Sequence, residues 1–263
     1  MSITEDSPAP APAARRSAVR LPGPARRASP WWWLVAACAL LLLVIAVVLC
    51  IWWATSRTTR VVTYNVRGTP AAIELDLGGA PVQITGGATG ALEVRRTEEY
   101  AFGRRPRVTR SVDPRSGTVQ ITASCPATVL TTCDASFRIA VPDNVLVNVR
   151  TTSGRVGIRS LNGSARIATR SGDIAIDGFC GFTLVATSAS GNITGAADCS
   201  PDRMELRSGS GDVRAVVPGG RYRVEAHNDA NTQRVHNLTV ADDASFTVQA
   251  LSSSGDVTVE SAP

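Results

Sequence analysis

The sequence contains no Lys, so all 27 of its basic residues are Arg, and they are set against 22 Asp and Glu. Five Arg and two acids lie in the first 30 residues, which gives that tail a net charge of +3. The remaining surplus of +2 is spread over more than 200 residues. Such a dilute charge does not make an electrostatic footprint for DNA or RNA. We therefore predict no nucleic-acid partner.

Motifs that carry common enzymatic chemistry are also missing. The sequence has no Gly-x-Ser-x-Gly nucleophile elbow, no Cys-x-x-Cys pair and no nonapeptide calcium-roll signature. The two His, His227 and His236, have no acid or base fixed beside them by any pattern. Ser-Gly-Asp occurs at Ser171, Ser210 and Ser254, and such recurrence is typical of a turn rather than a nucleophile. We predict a non-enzymatic protein with no cofactor and no metal centre.

One long hydrophobic run is present, and all five Trp lie within it. Residues 31–53 are 23 consecutive residues with no charge, Gly or Pro. A helix of this length spans roughly 34 Å, which is enough to cross a hydrocarbon core of about 30 Å. Trp prefers the headgroup layers at the two bilayer surfaces. The pattern predicts a transmembrane helix over 31–53, with an interfacial anchor at each end: Trp31, Trp32, Trp33, Trp52 and Trp53.

The tail that precedes this run, residues 1–30, is rich in Pro, Ala and Arg and predicts a disordered segment. Only Arg57 and Arg60 follow the run closely, so the charge bias predicts a cytoplasmic N-terminus and an uncleaved signal anchor. Lipidation at Cys38, within a lipobox-like Val-Ala-Ala-Cys, stays open. The topology-determining residues are Arg15, Arg16, Arg20, Arg26 and Arg27.

A repeat of about twenty residues dominates the C-terminal half. Each unit is an alternating strand, a Ser-Gly turn usually followed by Asp or Asn, and a second alternating strand. The first three spacings between turn glycines are 18, 19 and 20 residues, and the last gap of 44 residues has room for a degenerate unit over 222–240, with Asn231 at its turn. The repeat turns are marked by Gly154, Gly172, Gly191, Gly211 and Gly255.

Units this short cannot bury a core alone and must stack on one another. Apolar residues alternate on both strands of each unit, and alternation places them on one face. We expect coils stacked about 4.8 Å apart, with each turn glycine supplying a positive φ. The fold class is therefore predicted as all-β: a linker over 54–60, then an extracytoplasmic β-solenoid over 61–263. A split into two domains near Pro142-Asp143 is the alternative.

The cysteines outside the hydrophobic run predict disulfides. Cys180 and Cys199 each lie eight residues after a turn glycine, so stacking would place them side by side on adjacent coils. Cys125 and Cys133 would then close a short loop. Metal binding by these residues is the weaker alternative, because no metal-ligand spacing is present.

Two groups of charged residues leave a role open. A column that follows the turn glycines could hold a cation such as Ca²⁺, although Asp or Asn beside Gly is ordinary turn chemistry: Asp173, Asn192, Asp212 and Asp256. The densest basic stretch predicts a solvated hairpin because acids interleave with it, with contact to anionic polymer or headgroups as the alternative: Arg95, Arg96, Arg104, Arg105, Arg107, Arg110 and Arg115.

Several motifs together resemble the bacterial putative-adhesin β-strand-repeat family of unknown function. They are Cys125-Pro126 followed by Cys133, the strand 137–142, the serial Ser-Gly-Asp units, Val217-Pro218 with Tyr222-Arg-Val224, and the closing 252–260. The resemblance covers roughly 61–263 and departs from the pattern at the degenerate unit. It implies a β-solenoid, often tethered to the envelope by one helix, with no established reaction or catalytic residue.

These observations favour a membrane-anchored, adhesin-like envelope protein that serves surface interaction, scaffolding or sensing. The expected partners are the lipid bilayer and either a cell-wall polymer or another envelope protein; the sequence does not specify an oligomeric state. A carbohydrate-binding or carbohydrate-active β-helix is the alternative. That class needs carboxylates or Arg clustered on one face of the stack, whereas the recurring columns in this sequence are mostly Ser, Gly and Thr.

Overall fold

The computed structural model of the chain describes residues 30–101, 104–125, 133–229 and 233–262. The tail with Arg15, Arg16, Arg20, Arg26 and Arg27 lies outside the described residues, as does Asn231. By its internal contacts the chain separates into two compact units, with the boundary between Cys50 and Ile51 and not near Pro142-Asp143.

Helix α1 covers Pro30–Thr55, slightly more than the predicted 31–53. Its side chains are exposed from Trp31 to Trp53, as expected for a helix whose surroundings are not protein. By length and composition, residues 31–55 could cross a membrane. The hydroxyl of Thr55 bonds to the carbonyl oxygen of Ile51 at 2.9 Å, and the N–H of Ser56 bonds to that of Trp52 at 3.0 Å.

The predicted linker over 54–60 is wrong, because a strand begins directly after the helix. Strand β1 covers Arg57–Arg67 and pairs antiparallel with β4, so that Thr58 and Thr59 lie opposite Tyr100 and Glu99. The β-branched Thr residues suit a strand better than an irregular linker.

Twenty strands follow the helix, and they form two ten-stranded sheets. The first seven are β1 Arg57–Arg67, β2 Ala72–Asp76, β3 Val82–Thr85, β4 Ala91–Ala101, β5 Arg107–Asp113, β6 Thr118–Ser124 and β7 Cys133–Ala140. The next eight are β8 Leu146–Thr151, β9 Val156–Arg159, β10 Ala165–Thr169, β11 Ile174–Phe179, β12 Thr183–Ser188, β13 Ile193–Ala197, β14 Arg203–Ser208 and β15 Val213–Val217. The last five are β16 Arg221–Asn228, β17 Gln233–His236, β18 Thr239–Val240, β19 Phe246–Ser252 and β20 Val257–Ser261.

Each repeat unit contributes one strand to each sheet. Sheet A has the order β1-β4-β7-β3-β9-β11-β13-β15-β20-β17, and sheet B has the order β18-β16-β19-β14-β12-β10-β8-β2-β6-β5. Neighbouring units pair in parallel and in register, so Ile174 lies opposite Val156 on one side and Ile193 on the other. The unit boundaries predicted from the turn glycines therefore match strands that stack in both sheets.

A single apolar core lies between the two sheets. The residues two and four positions after each turn glycine are buried, as predicted, and so are the alternating apolar residues of the preceding strands. Gly195 takes one of these core positions, and a Cβ there would lie 3.1 Å from the side chain of Leu206 in the other sheet. The β architecture that follows the helix thus agrees with the alternation of apolar residues.

The spatial order of the units departs from their order in the chain at both ends. The last unit, β19–β20, lies between β14–β15 and the degenerate unit β16–β17, which precedes it in sequence. Likewise β2–β3 lies between β6–β7 and β8–β9. The spacing of 44 residues correctly predicts one extra unit, but that unit is at the edge of the stack and not within the gap it spans.

The degenerate unit has its own polar anchors. The hydroxyl of Tyr222 donates to the carbonyl oxygen of Pro218 at 2.9 Å and lies 2.8 Å from the hydroxyl of Ser200. Asn228 lies opposite Ser252 in the ladder and donates to the carbonyl oxygen of Gly255 at 2.9 Å. An amide therefore makes, at the edge of the stack, a contact that Ser makes elsewhere.

The expected reason for the turn glycines is wrong. Among the described residues, positive φ occurs at other positions, such as Gly178 at 66°, and at none of Gly154, Gly172, Gly191, Gly211 and Gly255. What these five share is a close approach: a Cβ on Gly191 would lie 2.1 Å from the carbonyl oxygen of Gly172, and one on Gly211 would lie 2.2 Å from that of Gly191. Glycine is needed because the preceding turn occupies the space of a side chain.

The predicted hairpin in the Arg-rich stretch is also wrong. Strand β4 pairs with β1 and β7 in sheet A, whereas β5 pairs with β6 in sheet B. Arg96 and Glu98 face the same side of β4 and form an ion pair at 2.6 Å in which the Glu98 side chain is only 4% exposed. One interleaved acid, Glu98, thus pairs with a partly buried Arg, whose Nε has no hydrogen-bond partner among the described residues.

The glycine contacts predict a large difference between two Gly-to-Ala variants. Gly211→Ala forces a methyl group against a backbone carbonyl and should lower the free energy of unfolding by about 1–3 kcal/mol. Gly219→Ala is the matched control, because nothing lies within 4 Å of a Cβ there and its φ is not positive. Chemical denaturation measures both, and equal stabilities would refute the close-approach explanation.

The inverted order at the end of the stack predicts that the last unit is not dispensable. A stop after Asp243 removes β19 and β20, which separates β16 from β14, and β17 from β15, by the width of one strand. A row of unpaired backbone groups is then exposed on each of these four strands. Limited proteolysis within 221–240 should become faster, on the order of tenfold. A stop after Ser261 is the control, and equal resistance of both truncated chains would contradict the strand order.

Candidate functional site

The two disulfides join strands that are neighbours in a sheet or consecutive in the chain. Cys180 and Cys199 follow β11 and β13, and their Cα atoms are 4.8 Å apart. Cys125 and Cys133, at the ends of β6 and β7, have Cα atoms 5.8 Å apart. The residues between them, 126–132, lie outside the described part of the chain. Cys38 and Cys50 of α1 are free and exposed.

A ladder of buried hydroxyls runs inside the turns. The hydroxyl of Ser208 accepts the N–H of Gly211 at 2.9 Å and donates to the carbonyl oxygen of Gly191, also at 2.9 Å. Ser252 makes the same pair of bonds, to Gly255 at 2.9 Å and Gly211 at 2.8 Å. Each hydroxyl therefore joins its own turn to the preceding one, so its role is structural.

A second ladder runs along the outside of the same turns. Asp173 Oδ1 accepts the backbone N–H of Asn192 at 3.0 Å, Asn192 Oδ1 accepts that of Asp212 at 2.9 Å, and Asp212 Oδ1 accepts that of Asp256 at 2.9 Å. Oxygens in this column that were candidates for a cation thus bind backbone N–H groups. Within the described residues, no group of three His, Cys, Asp or Glu could hold a metal ion.

A concave polar surface lies elsewhere, on the outer face of sheet B. A groove of about 450 Å³ crosses β6, β2, β8, β10 and β12. Neighbouring strands are about 4.8 Å apart, so five strands span roughly 19 Å. Its polar lining comes mainly from Glu74, Asp76, Gln120, Asn148, Arg150 and Arg166.

Strand register arranges these side chains in two rows. Gln120, Glu74, Asn148 and Arg166 succeed one another across four strands, and Asp76 lies opposite Arg150 in the next row. They point outward because Ile73, Leu75, Val147, Val149 and Ile167 alternate with them and are buried. The two acids on β2 therefore lie one strand away from Arg150 on β8 and two strands away from Arg166 on β10.

The charges of this groove have no partners among the described residues. None of Glu74, Asp76, Arg150 and Arg166 makes an ion pair or a side-chain hydrogen bond in the part of the chain that the structure describes. Asn148 Oδ1 is buried and unbonded, a deficit of about 1–3 kcal/mol that a ligand or an ordered water can relieve.

The other half of the same face is different, because its charges are satisfied internally. Glu205 binds both Arg203 at 2.7 Å and Arg207 at 2.5 Å. Gln249 donates to Glu225, and the guanidinium of Arg223 donates to the carbonyl oxygen of Asp242. Of the described residues on this face, those in the half around β2 and β8 thus carry charges that an external ligand can pair with, and this half is our candidate site.

The sequence predictions did not identify these residues. Glu74 and Asp76 lie on a strand outside the recognisable repeat, and Arg150 and Arg166 read as ordinary outer-face positions. Alternation indicates that each faces outward, but only the placement of β2 beside β8 brings them together. The adjacency of two units separated by some 70 residues has no signal in a single sequence.

Two shifted pKa values lie outside the groove. Burial raises the pKa of Tyr64, and Arg96 and Arg110 oppose that shift in part; the Arg110 guanidinium lies 5.1 Å from the ring centroid. The pKa of Asp113 is lowered by hydrogen bonds from the backbone N–H of Arg115 at 2.9 Å and the hydroxyl of Ser116 at 2.8 Å. Tyr64 stays neutral and Asp113 charged near pH 7, so neither serves as a general base or acid there.

The two His, for which the sequence indicates no catalytic partner, are both exposed and lie far from the groove in the strand order. His227 lies 3.6 Å from Asp229, with both side chains more than two-thirds exposed. His236 is on the edge strand β17. The His227–Asp229 pair is therefore solvated at the surface rather than enclosed in a site.

Comparison with known proteins gives one family match. The family model described as Toastrack DUF4097 matches residues 111–260, from within β5 to within β20. The resemblance predicted over 61–263 is thus matched over its larger, C-terminal part. No curated protein matches the chain.

Several solved structures are similar over most of their length. A "putative cell adhesion protein" from Clostridium sporogenes has 10% identity and a TM-score of 0.46, covering 78% of this chain and all of that one. A "putative adhesin" from Bacteroides fragilis has 14% identity and a TM-score of 0.38, covering 77% and 97%. A "putative lipid binding protein" from Parabacteroides distasonis has 12% identity and a TM-score of 0.26, covering 80% and 98%.

Proposed function

The chain belongs to the Toastrack DUF4097 family, and from that premise we propose that it is a membrane-anchored, adhesin-like protein of the cell envelope that binds surface material without catalysis. The stacked units form a β-solenoid that presents a rigid face. The observation that carries the proposal is the groove on sheet B, whose four charges have no partner among the described residues.

The membrane anchor is the helix α1. Its apolar run has Trp at both ends, which suits a span with two interfacial belts, and the Arg-rich tail precedes it. This arrangement favours a single-pass protein with a cytoplasmic N-terminus and an extracytoplasmic β-rich part. The two disulfides support that location, because disulfides persist outside the reducing cytoplasm.

Cell-wall polymer is the partner that the groove suits best. A surface about 19 Å long, polar and open, can lie along an extended polymer segment. Another protein of the cell envelope is the alternative partner. The charged rows would supply hydrogen bonds and electrostatic attraction, and neither requires a reaction.

A carbohydrate-active enzyme is the second candidate, and one observation favours it. Glu74 and Asp76 face the same side of β2 two residues apart, so their Cα atoms are separated by about 6.6 Å. Glycosidases that use two carboxylates hold the two carboxyl groups roughly 5–9.5 Å apart, a separation that flexible side chains at this Cα spacing can reach. The groove therefore meets the requirement for clustered carboxylates that the repeat columns do not.

Topology is tested by protease treatment of intact cells that express the chain with a tag on each end. We expect the C-terminal tag and residues 61–263 to be digested while the N-terminal tag is protected until the membrane is permeabilised. A cytoplasmic protein is the control for cell integrity. Protection of the β-rich part in intact cells would contradict the proposed orientation.

Binding is tested by co-sedimentation of the detergent-solubilised full chain with isolated cell-wall polysaccharide. Arg150→Gln combined with Arg166→Gln should weaken binding by about tenfold or more, because each loses charge-assisted hydrogen bonds. Arg159→Gln with Arg170→Gln is the matched control, since both residues are exposed outside the groove. Equal binding of the two double variants would contradict the role of the groove.

The same mixtures are assayed for soluble saccharide products. The proposal expects none above the level of a protein-free control. Product formation that is abolished by Glu74→Gln would favour the enzyme over the binding protein.

A further inference from the structure

We propose that the groove on sheet B recognises a zwitterionic polymer segment, one that carries an ammonium group and, within about 5–10 Å, a carboxylate or phosphate. This inference rests on the proposed binding function of the groove and adds the chemical class of the ligand. It follows from how the four charges are distributed.

The negative and positive charges are on different strands. Both acids, Glu74 and Asp76, belong to β2, whereas Arg150 belongs to β8 and Arg166 to β10. Asp76 and Arg150 are one strand spacing apart, and Glu74 and Arg166 are two spacings apart with Asn148 between them. A ligand that crosses the strands therefore meets an acidic strand first and basic strands next.

A ligand of single charge fits this surface poorly. A polyanion would satisfy Arg150 and Arg166 but would be repelled by Glu74 and Asp76, and a polycation would meet the opposite conflict. A ligand with both charges pairs an ammonium with the β2 carboxylates and an anionic oxygen group with the guanidinium groups, which favour planar, bidentate contacts.

The neighbouring opposite charges of the groove are not paired with each other. Asp76 and Arg150 are direct neighbours in the register, yet no ion pair between them occurs within 4 Å. An exposed pair of this kind contributes little even where it forms. The charges therefore stay available, in contrast to the Arg203–Glu205–Arg207 cluster on the same face.

The shape of the groove favours a polymer over a phospholipid headgroup, which also joins an ammonium to an anion. The groove extends across five strands and is lined by polar side chains together with the small or aliphatic Ala168, Val185 and Thr187. A headgroup would occupy only one or two strand spacings, whereas a polymer can follow the whole row from Gln120 to Arg166.

Three matched oligosaccharides test the charge requirement on the detergent-solubilised full chain. The first alternates a free amino sugar with a uronic acid, the second is its N-acetylated form, and the third is its carboxyl-reduced form. We expect the first to bind about tenfold more tightly than either of the others, because each loses one set of charge-assisted contacts. Equal affinity for all three, or no binding by any, would overturn the proposal.

Variants assign each charge to its strand. Glu74→Gln with Asp76→Asn should abolish the preference for the free amine and keep the preference for the carboxylate, and Arg150→Gln with Arg166→Gln should do the reverse. Asp177→Asn with Asp202→Asn, exposed acids outside the groove, is the control that should change neither. Loss of both preferences in both groove variants would contradict the strand assignment.

Two further outcomes separate the possible failures. Vesicles with zwitterionic headgroups should not compete with the first oligosaccharide, and competition by them would replace the polymer by a lipid surface. If the protein binds cell-wall polysaccharide but has equal affinity for the three oligosaccharides, the zwitterionic specificity is refuted and the proposed binding function is not. Absence of wall binding in the co-sedimentation experiment would instead refute the proposed function.

Discussion

The structure depends on one close contact, that of each turn glycine with the carbonyl oxygen of the turn before it. A Cβ on Gly172, Gly191, Gly211 or Gly255 would lie 2.1–2.2 Å from that oxygen. Two hydrogen-bonded ladders run beside this contact, one of buried hydroxyls such as Ser208 and one of Asp and Asn oxygens such as Asp212. Together they fix the spacing and the register of successive units, and the apolar residues of both sheets then align into one core.

The same arrangement decides where a ligand can bind. Inside the turns, polar atoms form hydrogen bonds between successive units. The recurring Ser-Gly-Asp segments therefore have structural roles, although they resemble catalytic or metal-binding motifs. Outward-facing side chains of the strands do not take part in these turn contacts, and they form rows across the strands. On the half of sheet B around β14, charged side chains pair with one another, as Arg203 does with Glu205. Around β2 and β8 the charged side chains do not form such pairs among the described residues. The candidate site is thus a region where the regular pattern leaves charge unpaired.

Much of the fold can be predicted from the sequence, for physical reasons that differ by residue. Alternation alone identifies Val156 and Ile158 as buried, because a strand has a period of two. The family resemblance is confirmed by the match over 111–260. The reason for glycine at the turns is not predictable, because a positive φ and a close approach of the backbone both require glycine and cannot be distinguished in the sequence. Nor is the groove, because β2 reaches β8 only through an inverted order of units that no local pattern records.

Hydrogen exchange at the turns tests the stacking most directly. The amide groups of Asn192, Asp212 and Asp256 are in exposed turns but donate to the side chain of the preceding turn, and those of Gly191, Gly211 and Gly255 donate to buried hydroxyls. The account predicts that these six amides exchange as slowly as those of the adjoining strands, within about tenfold. Exchange at the rate of an unprotected turn would contradict it.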